Sequence, residues 1–162
     1  MKNSKLLLAA MFILPWFTIP FLGRKALKKY LPAAIFMGIF TKILNIIGER
    51  KKWWRFYEGT PPLNSMDFFN FGPYFVTSLW MLKWTYKKFI LYLISNTILH
   101  ILFIFLGLKY IERFRIISLV KLTKFQYLAI DFFRALLLYA FQWMKDNLFT
   151  KQNKRLIQEV KQ

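Results

Sequence analysis

The 162 residues carry 25 Lys and Arg against 7 Asp and Glu, a net charge of +18, yet 57% of them are hydrophobic. That share exceeds the roughly 45–50% usual for soluble domains, and so short a chain has no core large enough to bury it, which excludes a water-soluble globule and a second folded domain. With no cysteine and one histidine, disulfide frameworks, thiolate nucleophiles and cysteine or multi-histidine metal centres are excluded as well.

Five apolar stretches follow one another: Leu6–Leu22, Leu31–Ile47, Met66–Trp84, Phe89–Leu108 and Phe125–Met144. A helix rising about 1.5 Å per residue crosses about 30 Å of hydrocarbon in roughly 17–25 residues, so each stretch is long enough to span. The expected fold is therefore all-α, an integral membrane helical bundle of about five transmembrane helices over residues 1–144, with a basic tail over 145–162. A four-span version, its first segment re-entrant or interfacial, is the alternative.

In the first stretch Lys2 and Lys5 precede the apolar run as in a signal sequence, but Pro20-Phe21-Leu22-Gly23-Arg24 offers no small-x-small cleavage site, so it reads as an uncleaved span. Pro15 and Pro20 each remove a backbone hydrogen bond and predict a kink in its second half. The second stretch has Pro32 just inside its start and Gly48 after its last apolar residue, the usual start and stop of a helix. Between Gly48 and Ser65 lie RKKWWRFY (50–57) and a turn signal, Gly59-Thr60-Pro61-Pro62. Asn64 or Ser65 caps the third span, Asp67 falls in its first turn, and Asn70, Gly72 and Pro73 interrupt it. The short loop before Phe89 makes spans three and four antiparallel neighbours. From Lys109 to Lys124 the apolar positions spread around a helical wheel and define no clean amphipathic helix. After Met144, Phe149, Leu156, Ile157 and Val160 recur among basic residues, as in a short surface-lying helix.

The charge sits in the flanks. Arg24, Lys25, Lys28 and Lys29, and then Arg50, Lys51, Lys52 and Arg55, stand where each attracts anionic lipid headgroups by about 1 kcal/mol, so the expected partner is lipid and not nucleic acid. Trp53, Trp54, Tyr57, Trp80, Trp84, Tyr86 and Trp143 fall at span ends and read as interfacial anchors. With five crossings the two sides collect 11 and 12 Lys and Arg, which tips the chain only slightly toward N-outside; four crossings would put 14 on the side of both termini against 9.

Polar residues at helical spacing mark the inward faces, because exposing them to acyl chains is costly. On the second span these are Ala34, Gly38, Lys42, Asn45 and Glu49, with Ala34 and Gly38 forming a small-xxx-small contact; on the fourth, Tyr92, Asn96, His100 and Gly107; on the fifth, Lys124, Asp131, Arg134, Gln142 and Lys145. Asp131 and Arg134, three apart, are expected to pair. In a functional reading Asp131 exchanges between Arg134, Lys42 and His100 as an ion or proton relay; in a structural reading the pair holds helices in register. His100 is a pH-sensor candidate or, beside Asn96, a hydrogen-bonded contact between helices. There is no Gly-rich phosphate loop, HExxH or GxSxG, so no enzyme, cofactor or metal site is expected.

The segments FNFGPYFVTSLWMLKWTYKKF (69–89) and ALLLYAFQW (135–143) resemble uncharacterised small multipass membrane proteins of Bacillus-type Gram-positive bacteria. The resemblance implies a bundle in the bacterial cell membrane and carries over no activity or site residue. The function expected is that of an accessory or scaffold protein acting through a membrane-protein partner or a homo-oligomer. An oligomeric transporter or channel using intramembrane charges, and a sensor of pH or lipid charge, are the alternatives.

Overall fold

The computed structural model describes residues 2–57, 59–60 and 63–159, with the side chains of residues 5–57 and 65–148. It is mostly helical. The first stretch forms α1 (Lys2–Trp16), a turn, and the short α2 (Ile19–Leu22). The break falls at Pro15 and Pro20, as their missing N–H groups require. Side chains satisfy the backbone freed there: Thr18 Oγ1 donates to the Pro15 carbonyl at 2.6 Å, itself accepting from Trp80 Nε1 at 2.9 Å, and Lys83 Nζ donates to the Phe21 carbonyl at 3.0 Å.

Gly23, at φ +81° with open space around it, turns the chain into α3 (Arg24–Arg50). Two sequence expectations are corrected here. Pro32 lies well inside the helix, because the basic run Arg24–Lys29 is itself helical. Gly48 does not stop the helix, which continues to Arg50 before Lys52 adopts φ 58°; its missing Cβ instead makes room for the Trp54 ring.

After α3 comes β1 (Trp54–Phe56), then β2 (Gly59–Thr60) paired antiparallel with β3 (Leu63–Asn64). Pro61 and Pro62 lie outside the described residues. The third stretch is α4 (Ser65–Phe69), a π-helical turn at Asn70–Tyr74, and α5 (Phe75–Thr85). Gly72 carries the kink there at φ −89°, ψ −105°, where the sequence placed the interruption. The fourth is α6 (Phe89–Leu102), a second π-helical turn at Phe103–Gly107, and α7 (Leu108–Arg113). A short strand, β4 (Ile117–Leu119), then pairs antiparallel with β1, Trp54 opposite Leu119. Finally α8 (Lys124–Glu159) runs unbroken, so the tail expected from residue 145 continues the last helix. The tail's Phe149, Leu156, Ile157 and Val160 side chains lie outside the described residues.

Among the described residues three helical segments are long and apolar enough to cross a membrane by length and composition: Lys5–Leu22, Arg24–Arg50 and Phe89–Arg113. In the second and third of these the burial is inverted relative to a protein in water. On α3 the inward stripe is small and polar (Ala33, Ala34, Met37, Gly38, Thr41, Asn45, Gly48), while Ile35, Ile39 and Ile43 on the opposite face are about half exposed. On α6, Tyr92, Asn96 and His100 are buried and Ile90, Ile94 and Ile98 point out. In water such ridges of exposed isoleucine would drive association, whereas lipid solvates them without cost.

The buried apolar residues form two clusters. One joins Tyr30, Ala34 and Met37 of α3 to Leu79 and Leu82 of α5, Tyr92 of α6 and Leu138 of α8. The other gathers Leu8, Trp54, Ile104, Leu108, Ile116 and Tyr127 under the β1–β4 ribbon. The most heavily charged buried residues lie on the stretch of α8 between them.

Candidate functional site

The i, i+3 spacing of Asp131 and Arg134 on α8 brings Arg134 Nη1 to 2.9 Å from Asp131 Oδ1, with both side chains almost fully buried. The other carboxylate oxygen faces His100 Nδ1 of α6 at 3.3 Å. Arg134 Nη2 donates to Asn45 Oδ1 of α3 at 3.2 Å. One carboxylate and one guanidinium thus tie three helices together, and the charges are satisfied mostly by each other, as a low-dielectric setting demands.

Two aromatic rings flank the guanidinium, Trp54 at 5.9 Å and Tyr74 at 5.8 Å from its central carbon, within cation–π range. Trp54 was expected as a lipid anchor; the structure overturns this, since it is 1% exposed. The β1–β4 pairing swings its ring back over α3, where Nε1 donates to the Asn45 carbonyl at 3.3 Å and the ring lies edge-on to Tyr127 at 5.6 Å. A Cβ on Gly48 would stand 2.3 Å from that ring, so Gly48 and Trp54 work as a pair. The other anchors meet the surface: Trp84 is exposed, Trp53 is half-buried, and Arg50, Lys51, Lys52 and Arg55 are exposed.

Lys42 does not join this cluster, which corrects the relay reading. Its ammonium lies 3.0 Å from Asp67 of α4; three residues before Asn45, it sits about 60° round α3 from the side chain that meets Arg134. Asn96 turns to its own helix, donating to the Tyr92 carbonyl at 2.8 Å, while His100 meets another helix, as expected of it, at Asp131 of α8. Of the remaining stripe residues Gln142 is buried, Lys145 and Gly107 are half-buried, and Glu49 and Lys124 are exposed.

A third polar group sits at the end of the bundle formed by the start of α3 and the middle of α8. Lys29 lies 3.3 Å from Asp146, which accepts from Gln142 Nε2 at 2.8 Å, and Lys145 donates to the Lys29 carbonyl. Burial lowers the Lys145 ammonium pKa from its ordinary 10.5, and burial, followed by the Asp146 carboxylate, raises that of Tyr86.

Beside the His100–Asp131–Arg134 cluster is a cavity of about 280 Å³. Its polar end is made by those three residues with Asn96, Thr77 and Ser78, and the remainder by apolar and aromatic side chains of α1, α4, α6 and α8, including Met11, Phe69, Phe103 and Leu138. Sequence patterning marked His100, Asp131 and Arg134 but missed Trp54, Tyr74 and Tyr127, whose roles come from contacts distant along the chain. The glycine six residues before Trp54 is the one local trace. Among the described residues no group of three or more His, Asp or Glu is placed to hold a metal ion. Comparison with protein-family models, with curated proteins and with solved structures finds no match.

Proposed function

We propose that the chain is a bacterial plasma-membrane bundle crossing five times, by α1–α2, α3, α4–α5, α6–α7 and the first part of α8, and that it acts as an accessory or scaffold protein. The inverted burial of α3 and α6 supports the membrane setting, and the resemblance of residues 69–89 and 135–143 to multipass proteins of Bacillus-type bacteria agrees with it. The observation that carries the role is the separation of the charged groups, one buried and two part-exposed. Lys42–Asp67, His100–Asp131–Arg134 and Lys29–Asp146 stand at three separate places along the helices. Arg134 and Asp146 are 12 residues apart, about 18 Å along α8, and Leu138, Met37, Leu79 and Tyr92 fill the core over that span. A conduit needs linked polar stations; ion pairs set apart from one another hold helices in register and leave the outer faces for partners and lipid.

Because the chain has no cysteine, single cysteines at Lys5, Lys25, Lys52, Lys87 and Lys121 give a clean map with an impermeant thiol reagent. Five crossings put Lys5, Lys52 and Lys121 on one side and Lys25 and Lys87 on the other; Lys5 labelled together with Lys25 favours the four-span alternative. For the role, isolation in mild detergent is expected to recover a homo-oligomer or a stoichiometric membrane partner, and a lone monomer counts against it. The cavity beside the buried charges favours a second reading, a transporter or channel. Reconstituted vesicles that pass no more protons or ions than empty ones remove that reading.

A further inference from the structure

We infer that the cavity beside His100 is a binding site for a neutral lipophilic phenol, with its hydroxyl donating to His100 Nε2; this rests on the chain being embedded in a bilayer. The hydrogen-bonding inventory selects the head group. Asp131 spends one oxygen on Arg134 and faces His100 with the other, and Arg134 spends its two terminal nitrogens on Asp131 and Asn45, its buried Nε–H alone finding no hydrogen-bond partner among the described residues. An anionic or cationic head would arrive in a buried site without a counter-charge, at a desolvation cost of several kcal/mol. In the tautomer whose Nδ1–H donates to Asp131, the lone pair lies on Nε2. That nitrogen has no hydrogen-bond partner among the described residues, although His100 is only 8% exposed and lines the cavity. A neutral O–H is the group that complements it.

Size and walls select the body. A cavity of about 150 Å³ accommodates benzene, so about 280 Å³ holds roughly twice as much, about 11 non-hydrogen atoms, enough for a phenol ring with a short chain. Four aromatic residues, Phe69, Tyr74, Phe103 and Tyr127, line the space and suit a planar ring by stacked or edge-on contact. Leu99 belongs to the wall and is also 39% exposed, so the cavity reaches the outer, apolar surface on α6, and a ligand enters from the lipid side.

The probe is 4-pentylphenol, with 4-pentylanisole as its methylated counterpart lacking the O–H. Both are titrated into protein in lipid nanodiscs at equal bilayer mole fraction, with empty nanodiscs subtracted. Because His100 is the one histidine, nitrogen-15 labelling of histidine reports this site alone. The phenol is expected to shift the Nε2 resonance and to bind about tenfold more tightly than the anisole, the worth of one good hydrogen bond. In His100→Leu the preference is expected to fall to about one. Equal affinity for the two probes, a preference for the anisole, or binding that leaves the Nε2 resonance unmoved overturns the proposal. If His100→Leu does not fold, the wild-type comparison decides alone. The cysteine map reports embedding without any ligand, so failure of this site and failure of the membrane reading are separately visible.

Discussion

Replacing Asp131 with Asn keeps the shape of the side chain and removes the charge that neutralises Arg134. The guanidinium lies 2.9 Å from the carboxylate, with both side chains under 5% exposed. Charge centres about 4 Å apart at an effective dielectric constant of about 20 attract by roughly 4 kcal/mol, and breaking a buried pair from one side costs about 3–5 kcal/mol because the remaining charge stays buried. Asp131→Asn is therefore expected to destabilise the protein by about 3–5 kcal/mol. Asp131→Leu combined with Arg134→Met removes both charges. It leaves only the His100 Nδ1 and Asn45 Oδ1 bonds unmade, each worth about 1 kcal/mol, so the double variant is expected to cost less than the single one. The assay is reversible unfolding in mixed micelles of increasing denaturing-detergent fraction, followed by tryptophan fluorescence, since Trp54 stacks over Arg134. A single variant costing under about 1 kcal/mol, or a double variant costing as much as the single one, refutes the claim that the pair acts through mutual neutralisation.

Gly72→Ala places a Cβ 2.8 Å from the Met11 carbonyl oxygen and 2.9 Å from Phe12 Cα. Both are backbone atoms that no rotamer change can move, so α1 is pushed off the third stretch at an expected 1–3 kcal/mol; Gly38→Ala, which meets only side chains, the Phe71 ring edge at 3.3 Å and the Phe75 ring at 3.6 Å, is the mild control, and equal thermal shifts for the two contradict the argument. Gly48→Ala expels the Trp54 ring, so Gly48→Ala and Trp54→Ala are expected to give similar losses and, combined, much less than their sum; additive losses separate the two residues. Because burial lowers the Lys145 pKa from 10.5, the unfolded chain binds more protons in the window between the lowered value and 10.5, and this group's contribution to stability rises with pH there. The difference between wild type and Lys145→Gln in thermal midpoint should grow in wild type's favour as pH climbs through that window, and a flat difference rejects the assignment.

Much of this architecture was legible in the residue order because it is local. Pro15, Pro20 and the Asn70-Phe71-Gly72-Pro73 run act on their own backbone, and the chain breaks there. Asp131 and Arg134 meet because three residues on a helix always face together. Trp54 was not legible as a buried residue. Among basic and aromatic neighbours it has the composition of an interfacial anchor, and only its pairing with a strand 65 residues away turns its ring inward. Lys42 was misassigned for a related reason, since a helical wheel tells which side of α3 it occupies but not which neighbouring helix lies across from it.

Residue order by itself determined the helical stretches, their breaks and the small and polar helix faces, because each depends on a fixed 3.6-residue period and on backbone groups within a turn or two. Tertiary structure alone decided which of those faces meet. A stripe in steps of four, such as Tyr92, Asn96, His100, Ile104 and Leu108, drifts about 40° per step on a regular α-helix, and the π-helical turn at Phe103–Gly107 unwinds the helix enough to hold it on one side. With that turn, the Gly72 kink and the β1–β4 ribbon in place, His100, Asn45, Trp54 and Asp131 converge beside a cavity, since helix crossing and phase are set by packing between distant segments and not by any segment's own pattern.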